Sequence, residues 1–356
     1  MCANEHLVWA GKNQKIMRSI RVAICISTFR RQKLLRELLI GIGKLSFRKV
    51  AAPDIETIVV DTPDQSGSAR EICESIDLPW PVKYVVEPRR GLTFARNRAI
   101  AEAGPADFIA SIDDDEVPSA AWLDEMLWTQ SRFSADVVSG PVLPKFAQGV
   151  PDWIQAGGFF DPRVTASTGT QQSIAATHNA LIATHVFTKV PGFDDAYTLS
   201  GAEDTEFFLQ ASRAGYKIVW SQEAVVFEHI SAKRGSVGWI LAREYQTGNG
   251  WVFCEASMDR RLRKRAARFL KAWGHVVIGS ARTICSALLF DRVAVIHALQ
   301  QASLGGGMLA ALAGHRFLAY RTQRIQPLET HNSVVQTPSE ALGVGPKDGI
   351  GQPAVK

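Results

Sequence analysis

The segment "FIASIDDDEVP" runs from an apolar stretch into four consecutive acids, Asp113, Asp114, Asp115 and Glu116. Adjacent like charges repel, so the cluster calls for a compensating positive charge. In an extended chain side chains alternate, which puts Asp113 and Asp115 on one side and Asp114 on the other. Two carboxylates aimed at one point suit a hard divalent cation, Mg2+ or Mn2+. Such a cation removes the repulsion and can neutralise a diphosphate. A helix N-terminus is the competing reading, because acids ahead of "SAAWLDEML" would complement its dipole. Capping needs one acid, however, and three stand here.

A second acidic pair, Glu203 and Asp204, precedes "TEFFLQASRAG". This segment reads as a helix with Phe207, Phe208 and Ala211 facing inward and Gly215 as a left-handed stop. The pair could serve as acid–base chemistry or as first-turn acids on the dipole. His229 in "VFEHISAKR" follows a short apolar run and reads as a structural histidine or a ligand.

The elements that must position these groups are visible upstream. "RVAICIS", "IETIVVD", "VKYVVE" and "DFIASIDDD" are apolar runs separated by helix-like segments. In the first of these helices Leu34, Leu35, Leu38 and Ile42 share one face. The alternation predicts βαβ units with a largely parallel central sheet flanked by helices, an α/β fold. Ligands of open α/β sheets bind at the carboxyl ends of the strands. Four candidates converge there: "STFRR", Asp61, the stretch 87–91 and the acidic cluster.

At 356 residues, 46% apolar and 21% charged, the chain can bury one large core with an appended segment. A net charge of +5 permits an anionic partner without choosing one. Five scattered cysteines, none in CxxC spacing, read as reduced thiols in a cytoplasmic compartment. The N-terminus lacks the apolar core of a signal peptide, and no stretch is long and apolar enough to span a bilayer. The expected organisation is an extension over 1–20, one domain over 21–258, a basic amphipathic helical region over 259–325 and a disordered tail over 326–356. The basic run "DRRLRKRAARFLK" holds seven Arg or Lys and one acid. Phe269, Trp273, Val276, Val277, Ala281, Ile284 and Leu288 then recur at helical spacing, which suits a bilayer interface or packing on the domain. A further helix is expected over "MLAALAGHRFLAYR". Nucleic-acid binding fits poorly, because the basic run has no interleaved aromatic platform.

In order, "RVAICISTFRR", "IVVDTPD", "EPRRGLTFARNRAIAEA" and "IASIDDDEVP" resemble the inverting family-2 glycosyltransferases of GT-A fold. They are closest to bacterial enzymes that build exopolysaccharide repeats on a lipid carrier. The resemblance covers about 21–250. It implies a nucleotide-sugar donor, with UDP expected, and a lipid-linked saccharide acceptor. It implies peripheral attachment to an anionic membrane surface at the cytoplasmic face of the bacterial inner membrane. By correspondence, Thr28, Phe29 and Asp61 hold the nucleoside, and Arg96 and Asn97 belong to the donor site. Asp113 and Asp115 ligate Mg2+ or Mn2+ with His229 nearby, while Asp114 and Arg243 face the donor. Asp204 is the base for the acceptor hydroxyl and Glu203 orients it. "REYQTGNG" looks like an acceptor- or diphosphate-facing helix end, and Asn179 a sugar contact. The chain departs from the pattern at Arg30, where asparagine is common, and at Thr62, where a second acid is common.

Other classes are weaker. A sugar nucleotidyltransferase would want a glycine-rich loop after the first strand, and "STFRRQKLL" has no glycine. A glycoside hydrolase separates its carboxylates across the substrate. A non-catalytic membrane-associated scaffold with the same sheet is the alternative outside enzymes.

Overall fold

The computed structural model describes residues 19–62 and 68–319. The expected extension and tail lie largely outside the described residues. Within them the first half follows the predicted alternation: β1 (Arg21–Thr28), α1 (Gln32–Ile42), β2 (Asp54–Asp61), α2 (Arg70–Ser75), β3 (Val82–Val86), α3 (Leu92–Glu102) and β4 (Phe108–Ile112). There follow β5 (Glu116–Pro118), α4 (Trp122–Phe133), β6 (Val137–Ser139), β7 (Val142–Phe146), α5 (Asp152–Gln155), β8 (Gln171–Gln172) and β9 (Asn179–Ala183). The chain continues through α6 (Glu203–Arg213), β10 (Ile218–Trp220), β11 (Val226–Ile230), α7 (Val237–Met258), α8 (Leu262–Leu288) and α9 (Arg292–Leu312).

The main sheet has the order β3-β2-β1-β4-β9-β6-β10-β8. Strands β1 to β4 are mutually parallel, and β9 enters antiparallel between β4 and β6. Alternation along β1 feeds two cores. Val22, Ile24 and Ile26 pack with Leu35, Leu38 and Leu39 of α1 and Trp122 of α4. Ala23 and Cys25 pack on the other face against Ala95 and Ala99 of α3. Burial on both faces explains why these strands read as unbroken apolar runs. A small second sheet, β5-β11-β7, stands beside the end of β4.

Helix α6 begins at Glu203 and ends as expected at Gly215, which adopts φ +90°. Two helix expectations are corrected. Helix α7 runs straight through "REYQTGNG", which is therefore mid-helix. Its glycines serve packing: a Cβ on Gly248 would strike the Leu304 carbonyl, and one on Gly307 of α9 would strike that of Tyr245. The last helix starts at Arg292 and stops at Leu312, so it covers only the start of the predicted segment. No described helix is long and apolar enough to cross a membrane.

Candidate active site

The acids after β4 form a tight turn rather than extended chain, which overturns the expected alternation. The Glu116 amide donates to the Asp113 carbonyl at 3.2 Å, and the Asp113 amide donates to Glu116 Oε2 at 2.9 Å. The turn swings all three aspartates toward one cavity. Asp114 accepts from Thr28 Oγ1 at 2.8 Å and from Arg31 Nη1 at 2.8 Å. Asp115 Oδ2 receives Arg31 Nη1 at 3.0 Å and Arg234 Nη1 at 2.9 Å. Asp113 Oδ1 accepts from Arg96 Nη2 at 3.0 Å.

Electrostatics follow these partners. Burial works to raise the Asp113 carboxyl, but Arg96 and then His178 hold it below its ordinary value. Burial pushes Asp114 up to about 6 against the pull of Arg31. Glu116 is pushed up to about 8 by burial, with His178 opposing the rise from 3.3 Å.

The cavity, about 440 Å³, sits at the carboxyl ends of the parallel strands. Thr28, Phe29, Thr62, Asp113, Asp114, Asp115 and Arg243 line it, with Arg31, Arg90 and Arg234 supplying further cations. Arg30 occupies the left-handed region at φ 58°, which asparagine tolerates better than most residues. Asp61, expected to contact the nucleoside, is not among the residues that line this cavity; it is buried next to Thr62, accepting from the Ala69 amide at 2.7 Å and Tyr84 Oη at 3.0 Å.

A second cavity of about 410 Å³ adjoins the first, and Glu228, Arg243 and Gln246 line both. Asp204 faces it together with His178, Trp220 and Trp251. Asp204 Oδ1 accepts from the Thr205 amide at 2.6 Å, which fixes the carboxylate at the first turn of α6.

Several expected site residues are placed elsewhere. Glu203 is buried behind Asp204, where its Oε1 lies 2.5 Å from Arg96 Nη1. Burial pushes its carboxyl up, partly offset by Arg96. Arg96 is thus an internal bridge between Asp113 and Glu203, 7% exposed, rather than a lining residue of the first cavity. Asn97 pairs with the backbone of Phe193 in both directions at 2.8 Å. Asn179 accepts from Trp122 Nε1 at 2.8 Å and donates to the carbonyls of Pro141 and Ala224. Both asparagines staple the fold and neither lines either cavity, in place of the ligand contacts expected of them. His229 lines neither cavity. Alternation along β11 turns Glu228 to the site and His229 away, leaving only its amide, which donates to the Asp115 carbonyl at 2.8 Å.

Among the described residues no group of three or more His, Cys, Asp or Glu is arranged to hold a metal ion. Asp113 Oδ2 and Asp115 Oδ1 nevertheless have no hydrogen bond among the described residues, and both side chains line the cavity. Two carboxylates of this kind fit a cation that takes its remaining ligands from phosphate oxygens and water. They do not form a closed protein cage.

Known proteins bear on this geometry. Residues 23–190 match the family described as "Glycosyl transferase family 2", and residues 108–320 match "Glycosyl transferase family group 2". The succinoglycan biosynthesis protein ExoM of Rhizobium meliloti (strain 1021) is 28% identical over 271 residues, 75% of this chain and 84% of that protein. Among solved structures, the mannosyltransferase PcManGT from Pyrobaculum calidifontis, in complex with GDP-Man and Mn2+, is similar with a TM-score of 0.56. It shares 19% identity over 83% of this chain and 88% of that one. The likeness shows the fold, which is the GT-A arrangement that the family resemblance implied. With family matches that run through both cavities and the helices behind them, the chain belongs to glycosyltransferase family 2 and is a glycosyltransferase.

Proposed function

We propose that the enzyme moves a sugar, with inversion, from a nucleotide-sugar to a lipid-linked saccharide during assembly of a bacterial exopolysaccharide. One observation carries the reading: two cavities meet at Glu228, Arg243 and Gln246, with the acidic turn on one side and Asp204 on the other. The first cavity has the cations for a diphosphate, in Arg31, Arg90, Arg234 and Arg243. UDP is the expected nucleotide. The second cavity offers Trp220 and Trp251, and aromatic faces suit sugar rings. The name of the Rhizobium relative supports the exopolysaccharide context.

In this reading Asp204 removes the proton from the acceptor hydroxyl as that oxygen attacks the anomeric carbon. The Thr205 amide holds Asp204 Oδ1 and leaves Oδ2 directed to the hydroxyl. Arg243, common to both cavities and without an acidic partner among the described residues, holds the diphosphate as charge develops on it. Asp113 and Asp115 would hold Mg2+ or Mn2+, which supplies further neutralisation of the leaving diphosphate. Attack from the face opposite the leaving group converts an α-linked donor into a β-glycoside.

Attachment to the cytoplasmic face of the inner membrane rests on α8. Leu262, Phe269, Leu270, Trp273, Val277, Ile284 and Leu288 are exposed. At about 100° per residue these seven fall within an arc of about 100°, with exposed Ile278 outside it, the geometry of an interfacial helix. Arg263 and Arg265 flank this stripe and complement anionic lipid.

The test is transfer from radiolabelled nucleotide-sugars to the lipid fraction of membranes, with Mn2+, with Mg2+ and with EDTA. Asp204→Asn should lower turnover by about 10²–10⁴-fold, the usual worth of a general base, while nucleotide binding persists. Full incorporation by this variant would remove Asp204 as the base. Incorporation that EDTA leaves intact would remove the metal.

A further inference from the structure

The motif "TGNG" in the middle of α7 has no part in the chemistry above, yet its asparagine is 1% exposed and fully bonded. Asn249 Nδ2 donates to the His315 carbonyl at 2.8 Å and to the Gly307 carbonyl at 3.2 Å. Its Oδ1 accepts from the Phe317 amide at 2.8 Å. The side chain therefore pairs with residues 315 and 317 as a neighbouring β-strand would.

The chain reaches that clamp by an abrupt reversal. Helix α9 ends at Leu312, and Gly314 adopts φ +88°. The His315 amide donates to the Ala310 carbonyl at 2.9 Å, closing the helix end and sending the chain back across α7. Arg316 then lies over the rings of Tyr197 and Phe253, at 4.8 and 5.4 Å, and Phe317 meets Tyr245 edge-on at 5.7 Å. The segment delivers Ala319 to the wall of the first cavity, beside Arg243 and Gln246. Close α7–α9 packing at Gly248 and Gly307 keeps the clamp within reach.

We propose that the segment 315–319, through Ala319, completes the wall of the nucleotide-sugar cleft and that Asn249 is the positioning residue that holds the segment there. This rests on reading the first cavity as the donor site. A fixed wall spares the donor the entropy of ordering that segment, so its loss appears in donor affinity. The acceptor cavity lies on the other side of Arg243 and Gln246 and does not include residue 319.

The full-length enzyme, Asn249→Ala and Phe317→Pro, which removes the amide that Asn249 accepts, should be compared for UDP and GDP binding by calorimetry with Mn2+. Arg316→Ala is a milder variant should either fail to fold. Donor Kd and donor KM should rise about tenfold, with acceptor KM unchanged; a factor of ten corresponds to about 1.4 kcal/mol. Parent-like nucleotide affinity in folded variants would overturn the proposal, as would a parallel loss for donor and acceptor, which marks general destabilisation. If the parent enzyme binds neither nucleotide, the donor-cleft reading itself fails.

Discussion

Arg96 Nη1 lies 2.5 Å from Glu203 Oε1 while the same guanidinium holds Asp113 at 3.0 Å. One buried cation thus ties the acidic turn after β4 to the first turn of α6, where Asp204 stands. Burial works against the charge on Arg96, but Asp113 and Glu203 more than offset it. Through this bridge Asp113, which lines the first cavity, is tied to the helix start that carries Asp204, which lines the second.

Breaking such a pair on one side leaves an uncompensated buried charge, at a cost of about 3–5 kcal/mol. Arg96→Met should therefore unfold at markedly lower urea than the parent. Adding Glu203→Gln should recover part of the loss. A double-mutant cycle with strictly additive effects would show that the two side chains do not interact.

Asn179 is a structural staple in this fold. Asn179→Ala leaves the Trp122 indole N–H and the Ala224 carbonyl without their partner at a buried site, while the Pro141 carbonyl keeps the Val226 amide. Each unsatisfied group costs about 1–3 kcal/mol. Thermal unfolding should show a large destabilisation, with acceptor KM little changed in the surviving folded enzyme. A stable variant with a raised acceptor KM would restore the sugar-contact role.

Tyr84 gives a pH signature for the buried Asp61 carboxylate at the end of β2. Burial first, then the charge of Asp61, pushes its phenol up to about 12 from an ordinary 10.0. The fold thus favours the protonated form. The contribution to stability is complete below the unfolded value and is lost as pH rises through the folded one. Ultraviolet titration of the parent minus Tyr84→Phe should isolate one phenol ionising near 12. A midpoint near 10 would mean that Asp61 does not hold it.

The stripe on α8 is testable without activity. Trp273→Glu with Ile284→Glu should move the protein from the pellet to the supernatant when it is spun with phosphatidylglycerol vesicles. Neutral phosphatidylcholine vesicles should bind the parent more weakly. Unchanged pelleting of the double variant would exclude this face as the attachment surface.

The parallel half of the sheet was legible because its strands are buried on both faces and its helices carry a 3.6-residue repeat. The Asp113 cluster and the Glu203–Asp204 pair stand out in sequence for the same reason: charges interrupt apolar runs. Partners remote in sequence were not legible. Nothing local distinguishes Arg31 from Arg30; the left-handed backbone at Arg30 precedes the side chain that reaches Asp114. In "VFEHISAKR" only His229 stands out, and the pairing of β11 with β5 and β7 brings its neighbour Glu228 to the site instead. Asn97, Asn179 and Asn249 look alike as polar residues near motifs, and only the backbone groups that each meets assign their work.

The clasp of Arg31 and Arg234 on Asp115 means that the resting enzyme carries its own counter-ions. A cation arriving alone must compete with two guanidinium groups for that carboxylate. A cation arriving with a diphosphate offers those arginines new anions in exchange. Ordered kinetics, with metal and nucleotide entering as one complex, is the behaviour that such an arrangement selects.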